Sequence, residues 1–291
     1  MSTTASSDEI VRSVRNAASP SLASLQARRL RLQHRLLVIG GRILFFLLFV
    51  LAWQIASNLS GPLFLCSPLT VLQQLIAWTK DGTLWFNTQI TLEETTLGLI
   101  FGVLAGIVVG FLLGLQQVLG EILDPFVVAL YSIPKVALAP LFILWFGFGL
   151  EMKVMVAAVT VFFIVFFNTL TGVRNVDQNL IDAVRLMGGK PRDIMFKVVI
   201  PSTTGYVFTG LHMAVPYALI GAVIGEVISE NRGLGYLINN SASQFNPAGV
   251  FAALVVLTII ACILNAIVDF MDARTSRWKA GMRMAGKIIP Q

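Results

Sequence analysis

The sequence predicts an all-α integral membrane protein of six transmembrane helices, with a polar helix–turn–helix loop between spans 4 and 5. Three observations carry that prediction. Of the 291 residues, 56% are hydrophobic and the mean hydropathy is +0.80, well above a soluble domain's ~45–50% apolar content. The apolar residues form continuous runs, several long enough for a helix to cross a hydrocarbon core, which takes ~20 residues. The chain's 24 glycines accompany those runs, and no train of alternating segments of ~10 residues suggests a barrel.

The runs place spans near residues 36–57, 92–115, 126–148, 152–172, 206–228 and 249–268. They divide the chain into an N-terminal arm (1–35), a transmembrane domain (36–271) interrupted by the polar loop 174–201, and a tail (272–291). Of 21 Lys and Arg residues, the arm through Arg42, the loop 174–201 and the stretch beyond Asp272 hold most. Lys80, Lys153 and Arg232 are counted with the intervening loops, Lys153 at the very edge of span 4, and Lys135 lies inside span 3. Basic residues are retained on the cytoplasmic side, so both termini and the central loop are expected there.

The net charge of +6 therefore records membrane orientation. No basic patch with interleaved aromatics points to nucleic acid. Cys66 and Cys262 are far apart, and His34 and His212 are isolated, so no spacing suggests a metal site or a disulfide framework. With no nucleophile motif or paired carboxylates at working spacing, an enzyme of the membrane has little support.

In chain order, residues 1–35 are rich in Ser, Ala and Arg, a composition shared with transit peptides. A retained arm is the expectation, because no convincing small-residue cleavage site follows the first apolar run. Leu22, Leu25, Leu30 and Leu32 mingle with Arg28, Arg29 and Arg31, which suits a helix lying on lipid. In the loop that follows span 1, Ser67-Pro68 reads as an N-cap with proline at the first helical position, ahead of an amphipathic face of Val71, Leu72, Leu75 and Ile76.

Span 2 carries Gly98, Gly102, Gly106, Gly110 and Gly114, one every four residues. Small residues at that spacing form a groove that admits a neighbouring backbone, either within the bundle or at a subunit interface. In span 3, Pro134 and Pro140 invite a kink around Lys135. A cation at depth should face water, a carboxylate or the interior, so Lys135 either lines a passage or snorkels from a shallower position. Glu226, near the outer end of span 5, suits the mouth of such a passage, a structural ion pair or a hydrogen bond. Gln54, Asn168, His212 and Asn265 are expected as interhelical partners. Residues 232–247 read as an external loop with glycine turns, or as one that packs back re-entrantly.

The polar loop has its own grammar. Leu180, Ala183, Val184 and Met187 fall at helical spacing, Asp182 and Arg185 lie off that stripe, and Asn175 or Asp177 suits a cap. Gly188-Gly189 can end the helix, and Pro191 with Asp193 suits the start of a second one, which Pro201 is expected to stop. The product is either a rigid helical prong fitted to a partner's groove or an ordinary solvated loop.

Asp182-Ala183, Met187-Gly188-Gly189 and Ile200-Pro201 resemble the loop motif of the membrane-spanning subunits of binding-protein-dependent ABC importers, with Asp182 standing where that family has Glu. Leu123-Asp124-Pro125, Ile133-Pro134, the run Ala139 to Gly147, Asn168-Thr169 and Gly233-Leu234-Gly235-Tyr236 follow in the order of the nitrate, sulfonate and taurine branch. The resemblance covers residues 67–270. It implies a permease subunit in a bacterial inner membrane, passing a small anionic or polar solute such as nitrate, a sulfonate, taurine or a vitamin-precursor pyrimidine.

The resemblance also implies partners: a second permease subunit, most simply in a homodimer; two ATPase subunits; an external solute-binding protein; and surrounding lipid. No phosphate-binding Gly-x(4)-Gly-Lys-Ser/Thr occurs, since Gly188-Gly189-Lys190 is followed by proline. ATP and Mg are therefore expected on the ATPase partners, with no cofactor on this chain. The coupling loop would receive their motion through Leu180, Asp182, Ala183, Val184, Met187, Gly188, Gly189 and Pro201, and the solute path would run past Pro134, Lys135, Pro140 and Glu226. The rival class, a self-contained channel or ion-coupled carrier, commonly shows internal repeats or several intramembrane charges, and the apolar runs hold few.

Overall fold

Every regular element is a helix among the residues that the structure, a computed structural model, describes: 22–61, 64–229 and 232–275. The chain divides into two units, 1–68 and 69–291. In the first, α1 (Leu22–Ser60) is one continuous 39-residue helix whose Leu36–Ser60 portion is apolar enough to cross a membrane. The Trp53 indole N–H donates to the Cys66 carbonyl at 3.0 Å, and the Ser57 hydroxyl donates to that of Leu65 at 2.9 Å. These bonds turn the chain back beside the helix end. The expected arm before residue 22 and the tail beyond 275 lie outside the described residues.

In the second unit, α2 (Pro68–Lys80) begins on Pro68 as its turn chemistry predicts. Three long helices form the core: α3 (Thr83–Leu115), α6 (Leu150–Arg174) and α9 (Ile200–Ser229). Of the candidate spans, α6 has the largest buried share, because Ala157 faces Gly98 of α3 on one side and Gly221 of α9 on the other. A Cβ added at Gly102 would stand 2.5 Å from the Ala158 carbonyl oxygen, and one at Gly114 would stand 2.7 Å from the Val173 Cβ. The glycine stripe is thus filled by α6, backbone against backbone, where lipid gives no hydrophobic drive for association.

The third span is broken, not merely kinked. Between α4 (Gln117–Ser132) and α5 (Ala139–Phe146) lie an extended Ile133-Pro134 pair and a 3₁₀ turn, Lys135–Leu138. The helical segments on the two sides of the pair meet at 83°. The residue before a proline is forced into extended backbone, and Ile133 has φ −68° and ψ 127°. Pro140 does not interrupt anything; it sits in the first turn of α5, where its missing N–H is harmless. With the bent pair counted as one span, the structure has six candidates, and otherwise five.

Two further expectations are corrected. Pro201 does not stop the helix that begins at Pro191. A turn α8 (Pro191–Ile194), a π-helical stretch Met195–Val199 and α9 form one helical segment of 39 residues. In the wide turn the Ile200 N–H reaches back to the Met195 carbonyl, a shift in the ladder that accommodates the donor Pro201 lacks. Residues 232–247 are not a loop either: they contain α10 (Leu234–Ser243), with Leu234 and Leu237 buried, before α11 (Pro247–Thr275).

Candidate functional site

The polar loop 174–201 is an elbow with one face rooted in the bundle and the other bare. Its first helix, α7 (Gln178–Leu186), is capped by Asp177, whose carboxylate accepts the Asn179 N–H at 2.9 Å. Ile181 is buried in a cluster with Val173, Val176, Val198 and Val199, and Val184, Ile194 and Met195 pack on its edge. The helix ends where Gly188 adopts φ +79° and its N–H meets the Arg185 carbonyl at 2.9 Å. Beside it, a Cβ on Gly189 would come within 2.8 Å of the Val184 carbonyl oxygen. The next turn is fixed by Asp193, which accepts the Lys190 N–H at 3.0 Å and pairs with Lys197 at 2.7 Å.

The opposite face has no cover. Leu180, Leu186 and Met187 are 51%, 89% and 79% exposed, and Ala183 is exposed beside them. The sequence-derived stripe is therefore split: Val184 turns inward with Ile181, while Leu180, Ala183 and Met187 turn outward with Leu186, which periodicity did not single out. Asp182 is occupied by Arg185 at 3.1 Å, with both side chains exposed. Behind the elbow lies a cavity of about 600 Å³ whose polar lining includes Gln117, Glu121, Arg174 and Arg185.

The groups expected along the solute path fall in two places. Lys135 sits at the break in span 3, where its ammonium hydrogen-bonds the Tyr131 carbonyl and lies 4.1 Å from the Tyr131 ring centroid and 5.3 Å from that of Phe163. Pro134 makes the break and Pro140 starts the helix beyond it. Glu226 is elsewhere, fully buried, accepting the Thr91 hydroxyl and the Gly235 N–H, each at 2.6 Å.

Around Glu226 the structure assembles what sequence reasoning missed. Lys153 is not in a loop: it is 3% exposed within α6 and pairs at 2.9 Å with Glu94 of α3, 2% exposed. The expectation of few intramembrane charges fails here. The available signal was a charge at the edge of an apolar run, which needs a partner, but the partner lies 59 residues away. Among the proposed interhelical partners, Gln54 bonds Asn58 and Asn168 bonds the Ile164 carbonyl, each within its own helix. His212 of α9 does face Asp269 of α11, at 3.5 Å.

Comparison with known proteins agrees with this architecture. Residues 98–278 match the family model of the binding-protein-dependent transport system inner membrane component. The chain is 32% identical to the formylaminopyrimidine transport permease protein ThiX of Halalkalibacterium halodurans, over 81% of this chain and 94% of that one. It is 35% identical to the riboflavin transport system permease protein RibX of Chloroflexus aurantiacus, over 80% and 88%. Against the taurine transport system permease protein TauC of Escherichia coli it is 30% identical, over 78% and 84%. Among solved structures, a chain of the inward-facing MetNI methionine ABC transporter superposes with a TM-score of 0.60 at 20% identity, over 68% of this chain and 99% of that one.

Proposed function

Because the chain belongs to the family of binding-protein-dependent transport system inner membrane components, and is thus a multi-pass ABC importer permease, we propose that its elbow at residues 174–201 is the part that receives force from a separate ATPase. The observation that carries this is the bare apolar face of Leu180, Ala183, Leu186 and Met187 on a helix whose other face is buried. Ile181 and the valines beneath it root the elbow between the end of α6 and the π-helical stretch that runs on into α9, so a push on α7 is passed to two core helices. Two such loops, one from each permease of a homodimer, suit a symmetric pair of ATPases, which would hold ATP and Mg. The basic residues of the loop and both termini support a cytoplasmic position for all three.

Copurification tests the reading. Leu186→Asp places a charge on the bare face and leaves the buried root intact, so the permease should still insert while losing its ATPase. An undiminished yield of ATPase would refute the docking role.

The solute is a small anionic or polar molecule delivered by an external binding protein, in the range of the pyrimidine, riboflavin and taurine named for the relatives above. Lys135 supports an anionic preference: its ammonium is held at a helix break, where irregular backbone is tolerated only if it is buried or lines a cavity. Lys135→Met should lower uptake of an anionic solute with assembly unchanged. Titrating the external binding protein with candidate solutes identifies the cargo.

A further inference from the structure

The elbow does not use Glu94, Lys153 and Glu226, which meet where α10 begins. They are 2%, 3% and 0% exposed. Around them, α3 contributes Asn87, Thr91, Glu94 and Thr95, all buried; α6 contributes Lys153, α9 Glu226, and the start of α10 its backbone. The Gly233 N–H donates to the Asn87 side-chain oxygen at 2.8 Å, the Leu234 N–H to the Thr91 hydroxyl at 2.8 Å and the Gly235 N–H to Glu226. Lys153 also reaches the Arg232 carbonyl at 3.4 Å. The first donors of α10, which no residue of that helix can satisfy, are therefore capped by side chains of two other helices. Gly233, at φ +108°, and Gly235 leave room for the Glu226 carboxylate, which a Cβ at either position would meet.

The charges do not balance. Two carboxylates share one ammonium, and no second cation is paired with them among the described residues. The Arg232 side chain is exposed. A net negative charge sealed within a span is expensive, and a buried carboxyl escapes that cost by taking a proton. The hydrogen bonds say which one. Both oxygens of Glu226 receive donors, and one of these is the positive end of a helix, the setting of an ionised carboxylate. Glu94 accepts Lys153 on Oε1, and no donor reaches its buried Oε2; the Glu94 and Glu226 carboxyls lie within hydrogen-bond reach of each other, a contact that two acceptors can make only through a proton.

We propose that Glu94 and Glu226 bind one proton between them, carried on Glu94 Oε2, so that with Lys153 they form a neutral trio that fastens the start of α10 to α3, α6 and α9.

Infrared difference spectra of the assembled transporter in lipid discs test this at neutral pH. The wild type should show the C=O stretch of a protonated carboxyl that Glu94→Gln lacks. Glu226→Gln should lack it too, because Lys153 then balances Glu94 alone. A band that persists in Glu94→Gln, or one that survives in Glu226→Gln, overturns the shared proton. So does a double variant with the wild-type spectrum; a melting temperature that then follows sodium or potassium concentration would assign the site to an alkali cation. Either single variant decides the matter if the other fails to assemble.

Discussion

On α7, Asp182 and Arg185 form an ion pair at 3.1 Å with side chains 61% and 64% exposed, whereas the Glu94 carboxyl meets the Lys153 ammonium at 2.9 Å with 2% and 3% exposed. The first links neighbours three residues apart on one helix and competes with water and salt. The second joins α3 to α6 and lies under the start of α10. Exposed pairs contribute ~0.2–1 kcal/mol, while removing the charged partner from a buried cluster costs ~3–5 kcal/mol, because the opposite charge left behind, here on the two-carboxyl group of Glu94 and Glu226, stays in the core without its counter-charge. The same chemistry therefore does different work in the two regions. At the elbow it ties together two exposed side chains of one helix, and in the core it joins separate helices.

The sharpest way to break that contrast is Lys153→Met. It should destabilise the permease by ~3–5 kcal/mol, read as a lowered melting temperature and poor yield of assembled transporter; wild-type melting would mean that the buried pair holds nothing together. Next comes Gly188, where open space surrounds the missing Cβ but φ is +79°. Valine there should cost ~1–2 kcal/mol in backbone strain and reduce the ATPase recovered with the permease. Asparagine, which tolerates left-handed backbone, should restore most of it, and equal behaviour of the two would remove the backbone explanation. Met187→Ala trims the bare face without touching the root. A loss of ~1 kcal/mol of docking, seen as weaker ATPase retention in a salt series with unchanged melting, is the expected result. Smallest of all, Asp182→Ala should shift permease stability by less than ~1 kcal/mol, and a larger drop would show that the exposed pair is structural after all.

Much of the elbow was legible in advance because its signals are local. A cap at Asp177, a glycine where the backbone must turn left-handed and a proline in a first turn each act within a few residues. The glycines of α3 were legible for the same reason, since their spacing lines one helix face whatever lies opposite. Pro201 misled because the remedy for its missing donor, a π-helical turn at Met195–Val199, leaves no mark in composition or periodicity. Lys153 misled because a charge near the end of an apolar run resembles the start of a loop until its partner is known.

By itself, the amino-acid sequence determined an all-helical membrane protein, the approximate placement of its spans, a helical elbow between the fourth and fifth, and a family motif on that elbow. All but the motif follow from hydropathy, charge distribution and short-range backbone chemistry, which need no knowledge of what lies across the fold; the motif is a resemblance. Only the tertiary structure decided that Ile181 points inward and Leu186 outward, that the third span breaks at Ile133-Pro134, and that Glu94, Lys153 and Glu226 share one buried site. Each depends on which helix stands opposite, and residues 59 and 135 positions apart become neighbours only once α3, α6 and α9 have packed.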